Sequence, residues 1–87
     1  MPSKNRVGSE VSSKTSKFAR KVDPPPGGKR RVRERIYGVI VRSLPENRWE
    51  VKWGEGQIES MHVNQLKHVR EATPRTLEIA ALYNRQR

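Results

Sequence analysis

Apolar and polar residues alternate in short runs through the middle of the chain, and these runs predict β-strands. Residues 36–41, IYGVIV, are almost all apolar or β-branched, which is typical of a strand buried on at least one face. Residues 48–53, RWEVKW, place Trp49, Val51 and Trp53 on one side and charged residues on the other. That alternation predicts a half-buried strand.

Turn residues separate the strands. The segment LPEN at residues 44–47 supplies Pro and Asn, which favour turns. The segment GEG at residues 54–56 supplies glycines that tolerate the positive φ of a tight hairpin. Residues 57–63 then predict a return strand, followed by a single helical turn at residues 64–66 and a short closing strand at residues 67–70.

Short strands separated by turns at intervals of about ten residues predict a mainly β fold, a small five-stranded barrel. We expect its interior to be filled by Val32, Ile40, Val51, Trp53, Met61 and Leu66. The direction of residues 36–41 stays open, because either the even-numbered or the odd-numbered side chains satisfy the pattern. A bend at Gly38, typical of barrel corners, would let both sets contribute.

The C-terminal segment predicts one α-helix. Thr73 is a good N-cap, Pro74 suits the first helical position, and residues 75–87 contain no further Pro or Gly. A helix of this length is marginal alone, so it should dock on something. Its apolar residues fall on two sides, one with Leu77 and Ala81 and the other with Ile79, Leu82 and Tyr83. Docking on the barrel, binding of a partner and self-association through this helix all remain open.

Positive charge is concentrated in the N-terminal third. The chain carries a formal net charge of +10, and residues 1–35 contain eleven Lys or Arg against three acidic residues. Residues 9–17, SEVSSKTSK, are too polar to bury the surface that ordering requires, and the PPPGG stretch at residues 24–28 predicts a linker. The expected organisation is a disordered basic arm with its linker, a barrel and a helix, over residues 1–29, 30–70 and 71–87.

Length and composition exclude several classes of protein. A chain of 87 residues with 32% hydrophobic residues holds one small domain at most. Without cysteine it forms no disulfide framework, Cys-based zinc site or thiol nucleophile. Its apolar runs are far shorter than the roughly 20 residues that span a bilayer, and its first residues lack the apolar stretch of a secretory signal. We therefore expect an intracellular protein away from membranes, in the nucleus of a eukaryote or on a nucleoid.

The sequence contains no arrangement of residues that predicts catalysis. His62 and His68 are too few and too isolated for a metal site. The carboxylates Glu50, Glu55 and Glu59 have no nucleophile or glycine-rich phosphate loop beside them. We therefore expect no enzyme activity, no metal and no cofactor.

Three segments resemble a known group of domains. Residues 37–41, 49–53 and 61–67, which read YGVIV, WEVKW and MHVNQLK, are similar to the small Src-homology-3-like barrels of the Tudor and chromo type. The similarity is greatest to the C-terminal barrel of retroelement integrases. Residues 62–67 match its closing segment, histidine-valine-asparagine-x-leucine-lysine, residue for residue, although His68 replaces the proline that usually follows. The resemblance implies binding, since integrase barrels contact DNA and the integrase catalytic core does not fit in this chain.

Charge and resemblance together predict a nucleic-acid-binding, chromatin-associated module, with DNA favoured over RNA. Lys and Arg gain free energy by releasing counterions from phosphates. The candidate phosphate-binding residues are Lys29, Arg30, Arg31, Arg33, Arg35, Arg42, Arg48 and Lys52. Trp49 and Tyr37 are candidates for stacking on a base or a peptide.

The alternative prediction is a Tudor-like or chromo-like reader of a histone tail or another peptide. In that case Trp49 and Tyr37 would carry the binding, and the basic arm would only localise the protein. Recognition of a methylated lysine needs several aromatic faces arranged as a cage. Glu59 lies where such barrels often place one of these aromatic residues.

Overall fold

Seven strands and two helical segments follow one another along residues 5–22, 26–28 and 32–86, which are the residues that the computed structural model describes. The strands are β1 (Glu10–Ser13), β2 (Lys21–Val22), β3 (Val32–Arg33), β4 (Ile36–Leu44), β5 (Arg48–Gly54), β6 (Gln57–His62) and β7 (Lys67–Arg70). A 3₁₀-helix, Val63–Gln65, connects β6 to β7, and helix α1 spans Pro74–Arg85.

Five strands form one antiparallel sheet in the order β6-β5-β4-β1-β7, and β2 and β3 form a separate two-stranded ribbon. The mainly β fold class with a C-terminal helix is therefore confirmed. Within the described ranges the strand order is linear and no pairing joins β6 to β7. The structure thus shows an open five-stranded sheet, and closure into a barrel is not confirmed.

Strand β1 lies inside the sheet, between β4 and β7, although the sequence analysis assigned it to a disordered arm. Val11 is fully buried, and the β1 backbone pairs with a strand on each side. The pairing extends further, since the Gly8 amide donates to the Ile40 carbonyl (2.7 Å) and the Ile40 amide donates to the Ser9 carbonyl (3.0 Å). The expectation of disorder does not hold for this segment, because backbone hydrogen bonds to two neighbours hold a strand with few apolar side chains.

The PPPGG stretch joins two paired strands of the same fold. Lys21 pairs with Arg33 across the β2–β3 ribbon, and the Glu34 amide donates to the Arg20 carbonyl at 2.8 Å. Along the sequence the stretch therefore lies between the two strands of this ribbon. Pro and Gly occur in connections between strands as well as in linkers, so the stretch by itself does not mark a domain boundary, and the boundary near residue 29 stays a prediction.

The core lies on one face of the sheet, which we call the inner face. Its buried cluster consists of Val11, Ile40, Val51, Trp53 and Met61. Four partly buried side chains pack against this cluster: Phe18, Ile36, Trp49 and Leu66. Four of the six predicted interior residues are thus buried and Leu66 is partly buried, while the side chain of Val32 lies outside the described part of the chain. Val11 and Phe18 were missed because their segment was expected to be disordered.

A β-bulge in β4 decides which residues of 36–41 point inward. The register shifts between Ile40 and Arg42, so both Ile40 and Val41 are buried. Ile40 belongs to the core cluster and Val41 does not. Even-numbered residues face the core up to Ile40, whereas Tyr37 lies on the opposite face, which we call the outer face, and is 57% exposed.

Helix α1 begins as predicted and packs on the sheet at β4. The Thr73 hydroxyl caps it by accepting from the Thr76 amide (3.2 Å), and Pro74 follows. Asn84 donates to the carbonyl of Val41 at 2.8 Å, and the Tyr83 hydroxyl donates to the Glu50 carboxylate. Docking on the sheet, one of the alternatives left open above, is therefore what the helix does.

Candidate nucleic-acid interface

Two of the predicted phosphate-binding arginines are held by serine groups. Arg33 Nη1 donates to the Ser16 carbonyl at 2.9 Å, and Arg35 Nη1 donates to the Ser12 hydroxyl at 3.0 Å. Both acceptors are neutral, so these bonds position the guanidinium groups without cancelling their charge. The cluster Lys29–Arg31, which was predicted beside them, lies outside the described residues.

Arg35 is held next to a row of side chains that crosses three strands on the outer face. Ser12 of β1 is the register partner of both Tyr37 on β4 and Lys67 on β7. Directly paired residues of an antiparallel sheet share a face and have Cβ atoms about 5 Å apart. Ser12 is only 1% exposed, whereas Tyr37 and Lys67 are exposed. We call Arg35, Tyr37 and Lys67, with Ser12 between them, the Tyr37 row.

The ring of Tyr37 is open to solvent for a structural reason. The β4–β5 pairing starts at Val39 and Lys52, so Tyr37 lies beyond the end of that ladder. Helix α1 also crosses the outer face further along β4, where Asn84 reaches the carbonyl of Val41. An exposed aromatic ring beside cations is an arrangement that can stack on a nucleic-acid base while the cations contact phosphates.

Of the remaining predicted cations, Arg42 and Arg48 lie in a second group on β4 and β5, whereas Lys52 is the register partner of Val39 and so lies diagonally across from Tyr37. Arg42 is the register partner of Glu50, which lies between Arg48 and Lys52 on the same side of β5. This carboxylate lowers the positive potential of the second group. Arg42 is also five residues along β4 from Tyr37, a distance of about 16 Å at the rise of a strand. The structure therefore divides the predicted site into two groups: Arg42 and Arg48 lie beside Glu50, whereas Arg35 and Lys52 lie near the exposed ring of Tyr37, where Lys67 also lies.

Trp49 and Tyr37 are not brought together. Trp49 pairs with the buried Met61 on β6 and packs against the core cluster on the inner face. Tyr37 lies on the outer face. A single binding surface that uses both rings, as the peptide-reader alternative required, is not present among the described residues.

Among the described residues, ion pairs neutralise little of the positive charge. Over the described ranges, the one pair of opposite charges within 4.0 Å is Arg20 and Glu34, at 3.7 Å, and both side chains are largely exposed. Arg33, Arg35 and Lys67 take part in no such pair there. Cations without an ion-pair partner raise the local positive potential and attract polyanions, although Glu10, the register partner of Val39, lies on the same face as Tyr37.

The loop after β1 supports the arginines from the opposite edge of the sheet. The Ser16 hydroxyl and the Lys17 amide both donate to the carboxylate of Glu59 on β6, the latter at 3.3 Å. Ser16 is fully buried, and its carbonyl accepts the bond from Arg33. Glu59 thus anchors the segment that positions Arg33, a role that the sequence analysis did not predict for it.

Lys67 and Ser12 were not predicted as site residues. Lys67 appeared only as part of the closing segment of the resemblance, and Ser12 lay in the segment expected to be disordered. Neither carries a local signal of function, because the pairing of β1 with β4 and β7 is what puts them beside Tyr37.

Comparisons with known proteins found no relative of this chain. No family model matches the chain, and no curated protein or solved structure matches it either. In the part of the chain that the structure describes, no group of three or more His, Asp or Glu residues could hold a metal ion. No helix in that part is long and apolar enough to cross a membrane.

Proposed function

We propose that the protein binds nucleic acid through the Tyr37 row, with DNA as the favoured ligand. The observation that carries this proposal is that the exposed ring of Tyr37 and the cations Arg35 and Lys67 lie around Ser12 on one face. Arg35 is fixed there by the Ser12 hydroxyl, so little side-chain entropy is lost when it meets a phosphate. Phosphate contacts of this kind supply affinity with little sequence discrimination.

We also propose that the open sheet curls toward a Src-homology-3-like barrel. The two edge strands, β6 and β7, are joined by only four residues, 63–66, three of which form a 3₁₀-helix. A flat five-stranded sheet would separate its edges by about 19 Å. The connection spans only about 13 Å, because a 3₁₀-helix rises about 2 Å per residue. Curling brings the two edges of the sheet close enough for this short connection to join them. It also agrees with the resemblance to integrase and Tudor barrels.

The peptide-reader alternative has weaker support. It depended on Trp49 and Tyr37 acting together, and they lie on opposite faces of the sheet. Of the other aromatic residues, Phe18 packs against the core cluster and Tyr83 donates its hydroxyl hydrogen bond to Glu50. We therefore propose nucleic acid as the ligand class and treat peptide binding as an outcome that the experiments below would reveal.

The test is the salt dependence of binding by the full chain. Fluorescence anisotropy with a labelled DNA duplex would be recorded for the wild type and for the double variant Arg35→Gln, Lys67→Gln. Loss of two phosphate contacts should reduce the slope of log K against log salt by about 1.8 for duplex DNA. The matched control is Arg75→Gln, Arg85→Gln, which removes the same charge from exposed positions of α1.

Equal losses in both double variants would show that net charge alone drives binding and would overturn the site. Absence of binding to DNA and RNA at low salt, together with binding to a histone-tail peptide, would overturn the ligand class. Deletion of residues 1–35 is not a suitable test, because it removes β1 from between β4 and β7. Thermal unfolding of each variant would confirm that the sheet is retained.

A further inference from the structure

We infer that the Tyr37 row selects unpaired nucleotides over duplex DNA. This inference rests on the proposed function, since it concerns the same site. Its starting point is that Tyr37 is the largest exposed ring on the outer face, with 57% of its surface accessible, while β4 holds its backbone. A ring fixed on a sheet surface offers a flat apolar face to a base.

Stacking on such a ring requires a base whose own face is accessible. In a duplex both faces of each internal base are covered by neighbouring bases, so Tyr37 could offer only its hydroxyl to the backbone. In a single strand the bases are free to stack on aromatic side chains, and every base has a suitable face. The energetic contribution of Tyr37 is therefore available to a single strand and largely lost with a duplex.

The cations lie where the backbone of a stacked nucleotide would pass. Arg35 is two residues before Tyr37, about 7 Å along the chain direction, and Lys67 is two strands away, about 10 Å across the sheet. The Arg35 guanidinium reaches Ser12, which lies between Tyr37 and Lys67, so both cations lie on the same side of a base stacked on Tyr37, within reach of its phosphates. Cationic grooves that follow the backbone next to stacking rings are the general design of single-strand binding.

The arrangement is also prepared before the ligand arrives. Arg35 is bonded to Ser12, which is itself buried under the row, and Ser12 pairs with both neighbouring strands. Binding would therefore order only the nucleotide and the Lys67 side chain. A site that is ordered in advance loses less affinity to conformational entropy.

The test compares oligothymidylate of about 15 nucleotides with a duplex of the same length, each titrated with the full chain at one salt concentration. The wild type should bind the single strand more tightly. Tyr37→Ala should weaken single-strand binding roughly 5- to 150-fold, the range for loss of one stacked base, and duplex binding less than about twofold. Tyr37→Phe should retain single-strand affinity within about twofold, because it keeps the ring.

Two further variants guard against misinterpretation. Tyr37→Thr keeps a strand-favouring residue but lacks the ring, so it should repeat the loss seen with alanine even if alanine disturbs β4. Leu82→Ala removes an exposed apolar side chain from α1 and should leave both affinities unchanged. None of these variants changes charge, so the salt dependence of binding should stay as in the wild type.

The outcomes separate the inference from the proposed function. The Tyr37 variants could weaken single-strand and duplex binding equally, or could leave both unchanged. If the double variant Arg35→Gln, Lys67→Gln still weakens both in that case, selection of unpaired nucleotides is refuted and the proposed function stands. If the wild type binds neither form at low salt, the proposed function fails as well. An upfield shift of the Tyr37 ring protons on addition of oligothymidylate would directly support stacking.

Discussion

Gly38 of β4 lies directly against the indole ring of Trp53 on β5. A Cβ atom at residue 38 would lie 2.6 Å from Cε3 of Trp53 and 2.7 Å from the carbonyl oxygen of Lys52. Carbon atoms do not approach one another so closely, so any side chain would displace the indole or the β5 backbone. Glycine is required at this position because any side chain would occupy the space of the Trp53 ring in the core.

Gly38→Ala is therefore expected to destabilise the fold by about 1–3 kcal/mol, the usual cost of overpacking a core. Urea unfolding followed by tryptophan fluorescence would measure the change. Gly54→Ala is the matched control, because a Cβ there would meet Oε1 at the far end of the flexible Gln57 side chain (2.5 Å), which can move aside. Similar losses in the two variants would contradict the packing of Trp53 on Gly38.

The position of the N-terminal segment on α1 is tested by Gly8→Ala. Gly8 has φ +93°, and a Cβ there would lie 2.7 Å from Cδ2 of Leu77. We expect the substitution to lower the free energy of unfolding by more than about 1 kcal/mol. Alanine is strained in the left-handed region of φ, and its Cβ would overlap Leu77. Gly27→Ala is the control, since Gly27 has φ +91° but open space around it, and so reports backbone strain alone.

If the N-terminal segment were disordered, Gly8→Ala would leave the free energy of unfolding unchanged. If the unfolding curves of Gly8→Ala and the wild type coincide, residues 5–13 do not pack as described. The further variant Leu77→Ala should relieve part of the cost of Gly8→Ala in a double-mutant cycle, because it removes the atom that the new Cβ overlaps.

Glu59→Ala is expected to loosen the loop after β1. The variant leaves the buried Ser16 hydroxyl and the Lys17 amide without their acceptor, which should cost about 1–3 kcal/mol. Glu59→Gln keeps an acceptor oxygen and should lose less. Chemical unfolding would give the stabilities, and faster hydrogen exchange of the Lys17 amide would locate the effect.

The control for Glu59→Ala is Glu55→Ala, at an exposed position of the β5–β6 turn. It removes the same charge from the same hairpin. Equal stability of the two variants would mean that the bonds from Ser16 and Lys17 to Glu59 do not form in solution.

Ser12→Ala tests whether the fixed position of Arg35 matters for binding. The substitution removes the acceptor of the Arg35 guanidinium and leaves every charge in place. On the proposed function, affinity for nucleic acid should fall by roughly two- to fivefold, since Arg35 must then be ordered on binding. The slope of log K against log salt should not change. A loss of slope, or an unchanged affinity, would argue against this role of Ser12, and Ser43→Ala on β4 serves as the control.

Much of the sheet could be predicted from short-range pattern. Strands β4, β5, β6 and β7 and helix α1 each begin at the residue expected from alternation, turn residues or the N-cap. These signals act within a few residues of one another, so they are visible without knowledge of the partner strands. The 3₁₀-helix was displaced by only one residue from the predicted helical turn.

Part of the candidate site could be predicted from the sequence. Arg35 and Tyr37 were singled out from charge and aromatic character, and both lie in the Tyr37 row. The grouping with Trp49 was not reproduced, because the alternation of β5 points that ring toward the core. Lys67 joined the row only through the pairing of β7 with β1.

The sequence by itself determined the positions of β4 to β7, the helix start and the excess of positive charge, because each follows from residue type and local spacing. Only the tertiary structure decided that the polar segment Glu10–Ser13 becomes a strand between β4 and β7. It also decided that the PPPGG stretch lies between two strands that pair with each other. The physical reason is that backbone hydrogen bonds to two neighbours, together with the burial of Val11, hold a strand whose side chains are mostly polar. Such long-range pairing leaves no periodic trace in the sequence, and it is what brings Arg35, Tyr37 and Lys67 to one surface.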